Sequence, residues 1–284
     1  LSSSDTIAIG GPGNDGYSAV WASDDSFIVA CSESNPQLHL IDSSNPASLS
    51  STDTFNTTFR SRALALSPGD DQVAVGHADG SGNWRLFQIS SGSLSLAAAE
   101  VVPNGDTHGS VTSIDYSPDG TYIAVLARPS YGNTFLHLYS VPTNNAGVPS
   151  FIASYDSSVN GGNFSGTVRF SPNGTYIAVI FTNKIRVFTY NSSSLTLLAT
   201  QNITGSGIFN HIGWKFDNSE IAALASGNKR LHLYQFDPTN GSEEDRIQDG
   251  DSTYTLPGTP QQLAWTSDGK YIAVANSAGL ELVN

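Results

Sequence analysis

The chain has no methionine and a single cysteine, Cys31. One thiol rules out an internal disulfide framework. Cys31 lies in an apolar run with no basic neighbour, so it reads as a buried, inert thiol. Charge is also scarce. Only 13% of the 284 residues are charged, and 12 Lys and Arg stand against 25 Asp and Glu. A formal net charge of −13 leaves no basic stripe to follow a nucleic-acid backbone. An anionic membrane surface is disfavoured on the same ground. No apolar run approaches the roughly 20 residues of a membrane-spanning helix. Phosphate loops, Gly-x-Ser-x-Gly elbows and His-Glu-x-x-His pairs are absent as well. A chain that begins at Leu1 and lacks methionine reads as processed or as part of a longer one, with a removed signal peptide as one route.

What the chain has is a phrase repeated six times. An apolar–x–apolar triplet leads into a turn like Ser-Pro-Asp-Gly, and an apolar run containing alanine follows. The copies span 19–30, 64–75, 114–125, 168–179, 212–223 and 263–274. Matching positions Ile28, Val73, Ile123, Ile177, Ile221 and Ile272 are spaced by 45, 50, 54, 44 and 51 residues. Counting from Ile272 to the end and from the start to Ile28 leaves 40 residues, one further repeat length. A period of this size that also closes on itself predicts a β-propeller.

Each repeat reads as four strands, a to d. Strand a is the triplet. Pro, Asp, Asn and Gly supply the fixed and positive φ values of a tight hairpin. Strand b, as in Tyr122–Val125, hardly alternates, so both its faces should be buried. Strand c carries His39, Arg85, His137, Arg186, His232 and Glu281 at one equivalent position. These residues stand too far from a common centre to share an ion, and a half-buried role bonded to neighbouring strands is expected. Strand d is polar and outermost. The last repeat runs out after strand c, and Thr6–Ile9 is expected to supply its outer strand, which would protect the open edge. The expected fold is therefore all-β: a single six-bladed β-propeller of four-stranded antiparallel blades over residues 1–284, with the N-terminal strand closing the last blade. Seven blades are the alternative.

The hairpins at 117–125 and 171–179 resemble those of WD40-like propellers of prokaryotic and phage-encoded type, and the resemblance covers nearly the whole chain. The chain departs from that pattern where strand c ends: Ile41-Asp42, Phe87-Gln88, Tyr139-Ser140, Phe188-Thr189 and Tyr234-Gln235 stand where Trp-Asp is usual. The Gly-His pair before strand a is missing too. The resemblance implies a scaffold for binding and assembly and carries over no catalytic residue.

Loops before strand a and between strands b and c should share one face, and propeller loops carry function on a fixed frame. This face supplies the binding candidates Phe59, Arg60, Arg62, His77, His108, Arg128, Tyr131, Phe164, Phe209, His211 and Tyr254. Aromatics mixed with Arg and His suit protein or glycan recognition. No catalytic, cofactor-binding or metal-binding residue is assigned, and no cofactor is expected. The acidic segment 237–251 lacks calcium-loop spacing and reads as a solvated rim loop. Low charge with much Ser, Thr, Asn and Gly suits an extracellular or virion surface. The expected protein is thus a non-enzymatic structural or recognition module with protein partners in a larger extracellular or virion assembly, a phage particle included, or with a glycan. Neither nucleic acid nor membrane insertion is expected. The alternatives are a propeller enzyme of lactonase or glycan-hydrolase type and a cytoplasmic WD40-like adaptor.

Overall fold

The computed structural model describes residues 7, 9, 16–45, 47–78, 83–101, 110–128, 133–142, 147–157, 166–181, 184–203 and 209–284. Every regular element among them is a strand. The chain forms two compact units, residues 1–151 and 152–284.

In the first unit, β1 (Gly16–Trp21), β2 (Phe27–Ser32), β3 (Leu38–Asp42) and β4 (Ser50–Phe55) make blade one. Blade two is β5 (Ser61–Leu66), β6 (Gln72–His77), β7 (Asn83–Ser90) and β8 (Ser93–Val101). Blade three is β9 (Ser110–Tyr116), β10 (Tyr122–Arg128), β11 (Phe135–Ser140) and β12 (Ser150–Asp156), which runs into the second unit. The second unit continues with β13 (Val168–Phe170), β14 (Tyr176–Phe181), β15 (Lys184–Tyr190) and β16 (Leu195–Asn202) as blade four. Blade five is β17 (Phe209–Trp214), β18 (Glu220–Ala225), β19 (Arg230–Phe236) and β20 (Ile247–Thr255). Blade six is β21 (Pro260–Trp265), β22 (Ile272–Asn276) and β23 (Gly279–Val283). Each sheet keeps its strands in chain order with antiparallel neighbours. This is an all-β, six-bladed β-propeller fold.

Blade six has three strands among the described residues. Ile7 and Ile9 lie in no strand, and Thr6 and Ala8 fall outside the described residues, so the expected N-terminal closing strand is not seen.

Most b strands are buried on both faces, as their lack of alternation predicts: β6 is buried throughout, and β14 and β18 in all but their first residue, whereas β22 buries Ile272 and Val274 and leaves Ala275 exposed. They feed cores that lie between successive blades of a unit. Val29, Leu40, Val73 and Phe87 join blades one and two, and Ala65, Trp84, Ile123 and Tyr139 join two and three. In the second unit Val187, Ile212, Ile221 and Tyr234 join blades four and five, and Leu224, Leu231, Leu263 and Val274 join five and six. Each such side chain contributes about 1.5–3 kcal/mol by leaving water. Blades five and six approach so closely that a Cβ on Gly213 would meet Leu263 Cδ1 at 2.5 Å. The aromatic ending strand a also bonds back to the preceding blade: Trp214 Nε1 donates to Arg169 O at 3.2 Å, and Trp265 Nε1 to Gly213 O at 3.3 Å.

All six a–b turns share one construction. The fourth turn residue donates its N–H to the carbonyl three back, as in Gly120 to Ser117 and Gly174 to Ser171, both 2.8 Å. That residue always has positive φ. It is Gly120, Gly174 or Gly269 in three turns, and Asp25, Asp70 or Asn218 in the others. Asp and Asn tolerate this left-handed conformation better than most residues do. In five of the six the preceding carboxylate or amide accepts the N–H two residues on, as Asp119 does from Thr121 at 3.0 Å; Gly69 stands there in the second turn.

Cys31 is fully buried, and burial pushes its thiol up to about 12.

Candidate functional site

The best-defined cluster of candidates sits in the first unit, where the segment after β4 turns into β5. Asn56 Oδ1 caps the turn by accepting the Thr58 N–H at 2.9 Å. Thr57 ties the segment down on three sides. Its N–H donates to Gln37 Oε1 at 3.0 Å, its hydroxyl to Phe59 O at 2.6 Å, and its own carbonyl accepts from Arg85 Nη1. The Arg85 guanidinium lies 5.1 Å from the Phe59 ring centroid, and burial lowers its pKa. Phe59 in turn packs against His77 at 5.6 Å, and Ser61 Oγ lies 3.3 Å from His77 Nδ1. At the entry to β5, Glu33 Oε1 accepts from Arg62 Nη2 at 2.9 Å and from Arg60 Nη1 at 3.4 Å. Side-chain exposure is 47% for Arg60, 40% for Arg62 and 21% for Glu33. Arg60 and Arg62 thus form an exposed guanidinium pair on one carboxylate, next in the chain to the packed Phe59.

The structure therefore brings Phe59, Arg60, Arg62 and His77 together. His77, however, is fully buried as the last residue of β6 and presents no surface to a docked protein. Arg128 ends β10 and is half-buried. In the second unit Phe209 and His211 belong to β17 rather than to a loop, and both are buried. Phe209 packs on His232 at 5.2 Å, and His211 Nε2 accepts from Arg169 Nη2 at 3.2 Å. Burial, with the Arg169 charge second, pushes His211 down to about 3, which keeps it neutral. Tyr254 is exposed, and its hydroxyl donates to Glu281 Oε1 at 2.7 Å. His108, Tyr131 and Phe164 lie outside the described residues.

Arg85 and Arg186 take the hydrogen-bonded role expected of strand c, with loop carbonyls rather than neighbouring strands as acceptors. Arg186 Nη1 donates to Ser157 O at 3.1 Å, as Arg85 does to Thr57 O, so each pins the loop that enters its blade. Arg186 also lies 5.3 Å from the Tyr155 ring and 5.6 Å from Phe181. The imidazoles at the equivalent place differ. His39 Nε2 lies 2.8 Å from Pro36 O, whereas His137 stacks on Phe135 at 5.8 Å and has no hydrogen-bond partner among the described residues. Burial pushes His137 down to about 4. Only the bare recurrence of a polar residue in an apolar strand hinted at these roles. Among the described residues no group of three or more His, Cys, Asp or Glu is placed to hold a metal ion.

Comparison with known proteins agrees with the fold. Residues 101–133, spanning the a–b hairpin of blade three, match the family described as WD domain, G-beta repeat. No curated protein matches the chain in sequence. Among solved structures, the periplasmic gluconolactonase of Pseudomonas aeruginosa is similar with a TM-score of 0.73 and 16% identity, over 93% of this chain and 79% of that one. The Cps50 (Swd1) β-propeller domain of Myceliophteria thermophila gives 0.71 and 15%, over 94% and 83%. Hydrazine synthase of Kuenenia stuttgartiensis gives 0.73 and 12%, over 94% and 82%. A lactonase and a propeller domain at equally low identity share a fold with this chain and nothing finer.

Proposed function

We propose that this propeller is a non-enzymatic structural and recognition module that holds a protein partner within a larger assembly. One observation carries the reading: Arg60 and Arg62, exposed and both paired with Glu33, follow directly on the Phe59 that packs against Arg85. Arginine and aromatic residues on a supported base are the usual anchors of protein interfaces. A guanidinium pair favours a partner surface that presents carboxylates, which guanidinium binds with two parallel hydrogen bonds. The low charge content and Ser-, Thr- and Asn-rich sequence support an extracellular or virion setting, a phage particle included.

The test is the native mass of protein taken from its source, by light scattering. A species many times 29.9 kDa is expected. Replacing Phe59, Arg60 and Arg62 together by Ser should release a free chain. A wild-type monomer, or a triple variant that stays assembled, would overturn the proposal.

A further inference from the structure

The second unit holds an open cavity of about 460 Å³ at the outer side of blade four. One wall comes from β15 and β16, where Lys184 pairs with Asn202 and Arg186 with Thr200. Directly opposed residues of an antiparallel pair project to the same face, so these four side chains stand together. The facing wall is the acidic loop between β19 and β20. It is latched along the open edge of β16 rather than merely solvated. Thr200 N donates to Glu243 O at 3.2 Å, Thr200 Oγ1 to Glu243 Oε1 at 2.6 Å, and Arg246 Nη1 to Leu198 O at 2.7 Å. Its own turns are capped as well: Thr239 N donates to Asp237 Oδ1 and Ser242 N to Asp245 Oδ2, both at 2.9 Å.

The charges lining this cavity are not matched to one another. Arg186 is only 9% exposed, and its buried Nε has no hydrogen-bond partner among the described residues. A buried guanidinium with an unmet donor leaves positive charge uncompensated on this wall. Lys184 and Glu244 line the same space, and neither forms an ion pair among the described residues. Glu243 is fixed by Thr200, and Arg186 by Ser157 O, so these opposite charges are held on separate walls.

We propose that this cavity binds a small zwitterion of the amino-acid or dipeptide class. The ligand carboxylate takes Lys184 beside the Arg186 guanidinium, and its ammonium faces Glu243 and Glu244. The volume lies within the range of small-molecule sites. The inference is independent of the arginine surface in the first unit.

Calorimetric titration of the full chain tests it with three probes: glycylglycine, its N-acetyl derivative, which lacks the cation, and glycylglycinamide, which lacks the anion. Saturable binding of glycylglycine is expected, with each blocked form at least about tenfold weaker, the scale of one charge-assisted hydrogen bond. Lys184→Met and Glu244→Gln should each weaken glycylglycine about tenfold while the thermal melt stays unchanged. No saturation, a blocked peptide that binds equally well, or loss in only one of the two variants would overturn the zwitterion assignment.

Discussion

His137 is neutral inside the fold because burial among Phe135, Phe151 and its own strand leaves a charged imidazole no partner. Its proton affinity is lower folded, about 4, than in an unfolded chain, about 6.5. Between those values the unfolded state holds more protons, so stability falls as pH falls. From neutral pH down to 5, this one residue costs about 2 kcal/mol. Urea titrations at pH 7 and 5 should show that loss reduced in His137→Leu. His211, held down to about 3, acts in the same direction. At this scale the sequence was legible in part. Arg60 emerges on the surface from the expected loop, whereas Arg62 is exposed from within β5. His77, Phe209 and His211 read as loop residues because a polar or aromatic side chain beside Gly and Ser looks like a strand end. The strands extend past that punctuation, and burial follows.

Among the elements, the b strands were legible because an unbroken apolar run has one cheap solution, burial on both faces. The a–b turns were only half legible. Gly120, Gly174 and Gly269 announce a positive φ, whereas Asp25, Asp70 and Asn218 reach it without glycine. The segments entering blades two and four were not legible at Thr57 and Ser157, because the side chain that holds each comes from a distant strand. Arg85 donates to Thr57 O across 28 residues of sequence, and Arg186 to Ser157 O across 29. Arg85→Met should therefore free the Thr57 carbonyl and the base of Phe59, at a cost of about 1–3 kcal/mol. Hydrogen exchange should speed up locally at residues 57–60 before any change appears in β6 or β7.

For the whole molecule, the formal charge of −13 keeps like chains apart at neutral pH. The four arginines of the first unit are Arg60, Arg62, Arg85 and Arg128. None lies in an a–b turn, where Asp24, Asp25, Asp70, Asp71 and Asp119 gather. Lowering the pH towards the isoelectric point of about 4.6 removes the mutual repulsion while the buried imidazoles lose their reason to stay folded. Turbidity measured across pH should peak near 4.6 and clear at pH 7; a flat profile would show that net charge does not govern solubility here.

The turn between β13 and β14 also bears on chemical ageing. Asn173-Gly174 is the dipeptide most prone to deamidation, in which the glycine nitrogen attacks the side-chain carbonyl. Here that nitrogen donates to Ser171 O at 2.8 Å, while Asn173 Oδ1 accepts from the Ser171 hydroxyl at 2.7 Å and the Thr175 N–H at 3.0 Å. Nucleophile and electrophile are both tied elsewhere, so folding acts as a preservative for this bond. Direct hydrolysis to aspartate would do little harm, since Asp119-Gly120 already builds the same turn one blade earlier.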